Sequence, residues 1–124
     1  MEERNIIKWS EYSGYTELTI PNGEIWMSES ELVDLFGVFI HKLRNAIKAL
    51  YKEKQIKLYE AERTIKKKDN LYVTIYSMEV VLLLAFRLNS YQARAVRKEL
   101  MVRIERDHKP FEVIFTNVGR KQFQ

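Results

Sequence analysis

Leu35–Leu50 reads LFGVFIHKLRNAIKAL, and the fold turns on how the residues on either side of Gly37 are assigned. Turned at 100° per residue, the part after the glycine gathers Phe39, Ile40, Leu43, Ala46, Ile47 and Leu50 into one arc of about 120°. All six are therefore expected to face the core, with Ile40 buried beside Ile47 and Phe39 partly exposed near the turn. The opposite arc collects His41, Lys42, Arg44, Asn45, Lys48 and Lys52. Gly37 ends the preceding helix, because glycine alone enters the left-handed region at no steric cost. Further upstream, Ser28-Glu29-Ser30-Glu31 forms a capping box: the Ser28 hydroxyl accepts from the Glu31 amide while the Glu31 carboxylate reaches back. A first helix buries Leu32, Val33 and Leu35 or Phe36, and a second runs from about Phe39 to Lys54. Two helices across a glycine turn make a helix-turn-helix over about 28–54.

Outward from this pair the pattern changes period. TELTIPNGEIWM has two short apolar runs around Pro21-Asn22-Gly23, and Asn-Gly suits a tight hairpin turn, so strands are expected near Tyr15–Ile20 and Glu24–Met27. TIKKKDNLYVTIYS alternates, with Leu71, Val73 and Ile75 on one face and Tyr72, Thr74 and Tyr76 on the other. Lys68-Asp69-Asn70 then forms the tip of a second hairpin, a wing over about 62–76. Ser77 is positioned to cap the apolar helix Met78–Leu88, and Asn89 or Ser90 the next, which continues to about Asp107. These are the C-terminal helices, about 77–107, and FEVIFT at Phe111–Thr116 reads as one more strand. No Pro/Gly-rich linker divides residues 1–124, so the expectation is one α+β domain: a winged helix-turn-helix with β-hairpins and additional C-terminal helices.

Composition sets the bounds. The 124 residues are 46% hydrophobic, enough for one real core. The longest apolar run, MEVVLLLAF at Met78–Phe86, is far shorter than the roughly 20 residues of a membrane span. The opening MEERNIIKWSEY has two acids and no apolar core, so no secretory signal and a cytoplasmic location are expected. No cysteine is present, which removes disulfides and thiolate chemistry. The net charge of +4 is mildly basic. Its distribution is more informative: Glu24–Phe36 is purely acidic, whereas His41–Lys57 carries six lysine or arginine residues against Glu53 alone.

Catalytic chemistry has no foothold here. The two histidines, His41 and His108, lack any metal-ligand spacing. Glu29, Glu31 and Asp34 read as a solvated helix face, and neither NGEIWM nor FGVF has the glycine density of a phosphate cradle. No enzyme activity, cofactor or metal is expected. What remains is the basic, amide-bearing arc of the second helix. Phosphate binding needs such a face, and Arg44 and Asn45 are the types that address guanine and adenine edges bidentately. Lys66-Lys67-Lys68 sit where a wing would touch the adjacent backbone. A lysine-rich helix and hairpin also serve solubility alone.

GEIWMSESELVDLFGV followed by LYVTIYSMEVVLLLAFRLNS resembles the N-terminal region of RhuM-type virulence and mobile-element proteins. These combine a helix-turn-helix with a tyrosine-containing strand, an apolar helix and a YRVNS-like segment, matched here by Phe86-Arg87-Leu88-Asn89-Ser90. The similarity covers roughly Gly23 to Leu100. It implies a DNA-binding protein, a transcription regulator of bacterial mobile-element type. Two departures stand out: Phe39-Ile40 where such motifs carry polar residues entering the second helix, and Val33 where alanine is frequent. Fewer polar groups at the helix start bear against base-specific readout.

The expected partner is double-stranded DNA, with the second helix in the major groove. The alternative is a protein-interaction module that keeps the fold but uses the Phe39-Ile40 edge or the C-terminal helix against a protein partner. The last helix has Ala93, Val96, Leu100 and Ile104 on one stripe and Tyr91, Ala95 and Val102 nearly opposite. Such a helix needs two neighbours, of which the second is either FEVIFT or another subunit of a dimer.

Overall fold

The computed structural model describes residues 4–12 and 14–107. Among these the architecture is mixed α+β, with five helices and two small antiparallel sheets. Strands β1 (Lys8–Tyr12) and β2 (Tyr15–Thr19) form a hairpin. Strand β3 (Trp26–Ser28) leads into α1 (Glu29–Phe36), α2 (Ile40–Lys52) and the short α3 (Leu58–Ala61). Strands β4 (Glu62–Lys66) and β5 (Tyr72–Ser77) follow, then α4 (Met78–Arg87) and α5 (Tyr91–Asp107). The second sheet has the order β3-β5-β4, with β5 central. No helix among the described residues is long and apolar enough to cross a membrane.

The expected hairpin across Pro21-Asn22-Gly23 is not formed. β2 pairs instead with β1, in register Lys8↔Thr19 to Tyr12↔Tyr15, and the turn uses Gly14 at φ 85°. β3 pairs with β5, fifty residues away in sequence, in register Trp26↔Ser77. Gly23 does hold a positive φ of 99°, but a Cβ there would lie 2.8 Å from the Asn5 side chain. Asn5 runs parallel to Ile25 and accepts from the Trp26 amide at 3.4 Å, so the N-terminal segment takes the pairing that the hairpin would have used.

The local signals at both ends of α1 act as read. The Ser28–Glu31 capping box is complete, and Gly37 takes the left-handed conformation at φ 61°, ψ 42°. A Cβ at Gly37 would meet the Gln92 side chain at 2.5 Å, so close approach adds to the backbone requirement. The end of α1 would leave carbonyls unpaired. Trp9 Nε1 donates to the Leu35 carbonyl at 2.8 Å and Ser90 Oγ to that of Phe36 at 2.6 Å. Ser90 also accepts from the Ala93 amide at 2.9 Å, capping α5. One serine thus ties the start of α5 to the turn between α1 and α2. Ser77 stands at the N-cap of α4 but makes no capping bond, and its buried hydroxyl finds no partner.

The core lies where α1, α2, α4 and α5 meet. Leu32, Leu35, Phe36, Leu43, Ile47 and Leu50 are buried against Val80, Val81, Leu84, Ala93 and Val96. Helix α4 is apolar nearly all round and occupies the centre, as its composition requires. Ile104 continues the buried stripe of α5 as a half-buried residue, while Tyr91 and Val102 on the other side are exposed. Phe111–Thr116 and His108 lie outside the described residues.

Candidate nucleic-acid interface

The surface built by α2 starts from its two ends. At the start, Phe39 is the N-cap, with extended backbone (φ −72°, ψ 152°) and no capping side-chain bond. A residue outside the helix does not follow the 100° rule, and Phe39 is 77% exposed. Its ring stacks on His41 at 6.1 Å between centroids. Ile40 opens the first turn at the edge of the apolar arc and is 38% exposed. The angle places both in the core arc, with Phe39 expected to be partly exposed and Ile40 buried; Ile40 is not buried, whereas four of the six residues of that arc, Leu43, Ala46, Ile47 and Leu50, are. A shallow cleft of about 420 Å³ borders Phe39, lined also by Val33, Asp34, Gly37 and Val38.

At the far end the chain turns off sharply. Lys54 adopts φ 60°, its amide bonds the Tyr51 carbonyl at 3.0 Å, and the Gln55 amide bonds that of Leu50 at 2.9 Å. This is a Schellman closure with lysine in the place usually held by glycine. Glu53 is taken up by Arg87 of α4 through paired bonds of 2.9 and 2.8 Å. The hydrogen bond from Arg87, with its charge, holds the Glu53 carboxyl below the usual glutamate value. The acid that directly follows the basic helix in sequence is thereby paired. Arg87, the buried Leu88 and Ser90 show what the Phe86–Ser90 segment does here: it fastens α4 and α5 to the helix pair.

Between these ends His41, Lys42, Asn45, Lys48 and Lys52 are exposed. With Arg44 they span an arc of about 160°. One edge of this arc faces the second sheet. The Tyr51 hydroxyl donates to the Glu62 carboxylate at the base of β4. Burial, then that bond and the Glu62 charge, push the Tyr51 phenol well above its ordinary range. Tyr76 of β5 is pushed up to about 12, by burial first and then by the negative charges of Glu62 and Glu29. Arg44, one turn from Lys48, is held by Glu29 of α1: Nε lies 3.2 and 3.1 Å from the two carboxylate oxygens and Nη2 lies 3.0 Å from Oε1. Arg44 is thus on the basic face but not at its disposal.

The β4–β5 hairpin closes with Lys67 N–H to Leu71 C=O at 2.7 Å, Asn70 N–H to Lys67 C=O at 3.0 Å, and Asn70 at φ 66°. That is a type I turn followed by a left-handed residue, with asparagine in the left-handed place. Lys66, Lys67 and Lys68 are exposed around it. On one face Lys66 pairs across with Tyr72 and Thr64 with Thr74, the same face that carries Glu62 and Tyr76 lower down. The base of the hairpin, at Glu62 and Tyr76, therefore lies beside the α2 edge marked by Arg44 and Tyr51. Tyr72, 69% exposed, adds an aromatic ring that composition alone did not single out. A groove of about 350 Å³ runs from it past Thr74 and Tyr76 to Ser28, Glu29 and Ser30.

Two expectations about the acids change. Glu31 is not a solvated surface charge: Arg4 grips both its oxygens at 2.8 Å and also donates to the Trp26 carbonyl at 2.7 Å. Burial alone would raise the Glu31 carboxyl, but the bonds from Arg4 and from the Ser28 amide outweigh it and bring the pKa below the usual value. Glu29 is likewise engaged, and of the three acids Asp34 alone is fully on the outside. Among the described residues no group of three or more histidine, aspartate or glutamate side chains is placed to hold a metal ion. Comparison of the chain with protein-family models, with curated proteins and with solved structures finds no match.

Proposed function

We propose that the chain is a winged helix-turn-helix protein that binds double-stranded DNA, with α2 against the major groove and the β4–β5 hairpin on the adjacent backbone. The observation that carries this reading is the uninterrupted basic and amide character of the exposed face of α2. Five of its residues, His41, Lys42, Asn45, Lys48 and Lys52, are exposed, and no acid lies within the helix. The three lysines at the hairpin tip support it, as does the likeness of the segment order to RhuM-type regulators of mobile elements. In this arrangement most of the affinity comes from phosphates, which position the protein without reading sequence. A second copy packing on the outer side of α5, where Tyr91 and Val102 are exposed, would make the binding unit a dimer.

A second reading is favoured by one observation. Phe39 and Ile40 are exposed at the start of α2, where DNA-reading helices present polar groups, and together with the adjoining cleft they form an apolar patch suited to a protein partner. A mobility shift with a randomised duplex separates the two. On the DNA reading, Lys48→Glu/Lys52→Glu abolishes the shift, whereas Lys66→Glu/Lys67→Glu/Lys68→Glu weakens it less. Undiminished binding by the first variant would leave the protein-partner reading in possession of the site.

A further inference from the structure

Arg44 is the single arginine of α2 and the only side chain of its basic arc with the planar fork that addresses a guanine edge bidentately. Glu29 occupies that fork from a different helix, fifteen residues earlier, through contacts of 3.0 to 3.2 Å. The acid is well anchored: it sits in the first turn of α1, where the helix dipole favours a negative charge, and its side chain is 28% exposed. Arg44 is not anchored apart from Glu29, its side chain being 58% exposed. An ion pair this open adds little to stability and exchanges readily for another anion.

We propose that Glu29 is an internal competitor for Arg44, so that the arginine reaches nucleic acid only when a phosphate or a guanine edge displaces the carboxylate. This rests on the DNA reading of α2 and refines it. With the clamp closed, the arginine is withheld and His41, Asn45 and the lysines meet the duplex without it. With the clamp open, one more phosphate is neutralised or one base is read. The same contact explains how a helix pair with an acidic first member presents a basic second one: the acid nearest the interface is spent on the residue it would otherwise repel DNA from.

The test is a double-mutant comparison of the full chain on a randomised duplex by fluorescence anisotropy across a salt series. Glu29→Gln should tighten binding about threefold to tenfold and steepen the slope of log K against log salt by about 0.9, one additional phosphate. In the Arg44→Gln background the same change should tighten binding less than about twofold, since there is no arginine to release. An equal gain in both backgrounds would mean that Glu29 merely repels DNA, and no gain in either would mean that Arg44 is not a ligand; each overturns the clamp. Lys48→Glu/Lys52→Glu, measured alongside, separates the levels. Its loss of binding with no effect of Glu29→Gln removes the clamp alone, whereas its undiminished binding removes the DNA reading and the clamp with it.

Discussion

Phe39 and Ile40 stand side by side at the start of α2 but differ twofold in exposure. Both fall in the apolar arc by angle, but the arc holds only inside the helix, and Phe39 stands outside it with extended backbone. Since Phe39 is 77% exposed and Ile40 38%, Ile40→Ala should cost roughly 1 kcal/mol and Phe39→Ala nearly nothing. Phe39→Thr should raise stability by about 0.5–1 kcal/mol, because a hydroxyl at an N-cap that now lacks one accepts a first-turn amide. Urea unfolding of the three variants checks both; a larger loss at Phe39 than at Ile40 would mean the helix start is packed differently. Lys54 offers a second residue-scale test. At φ 60° a side chain is strained, so Lys54→Gly should stabilise the fold by about 1 kcal/mol in the same assay. A destabilised glycine variant would sink the Schellman account of the α2 terminus.

For whole elements, legibility followed the range of the interaction. The capping box at Ser28–Glu31, the stop at Gly37, the Lys68-Asp69-Asn70 tip and the cap at Ser90 each need only a few neighbouring residues, and each is visible in the residues themselves. β1 was missed because KWSEY alternates weakly and its partner is chosen by register, not composition. The Asn22-Gly23 signal is a genuine positive-φ site, but Asn5 comes to its edge from the N-terminal segment, which no local pattern announces. α3, a single turn, left no signal either. Glu31 could be read as a cap but not as a partner of Arg4, twenty-seven residues away. That pair makes the start of α1 sensitive to acid. The folded Glu31 pKa is depressed below the unfolded value of about 4.3, so the unfolded chain binds more protons between the two. The stabilisation is complete above about pH 4.3 and is lost as pH falls through the folded pKa. Glu31→Gln should therefore flatten that part of the acid limb in denaturant midpoints taken from pH 6 to pH 3. A variant with the wild-type acid slope would show that the pair is not linked to folding.

Across the whole molecule, the parts divide into those that hold α2 and those that stand beside it. Ser90 and Trp9 fix the turn before it, Arg87 fixes its end, and α4 supplies the core beneath it. The basic composition of the outer face was plain from residues 41–57, but its division was not: the Arg44–Glu29 contact depends on how α1 and α2 cross, and the place of the hairpin base at Tyr51 depends on a side-chain contact between Tyr51 and Glu62. On the proposed function, this face binds duplex DNA through phosphates. The most direct test is the slope of log K against log salt for the wild-type chain on a randomised duplex. The lysines of α2 and the hairpin tip predict a slope steeper than about −3, each neutralised phosphate contributing about −0.9. Binding that is absent, or that holds its affinity as salt rises, would contradict the account.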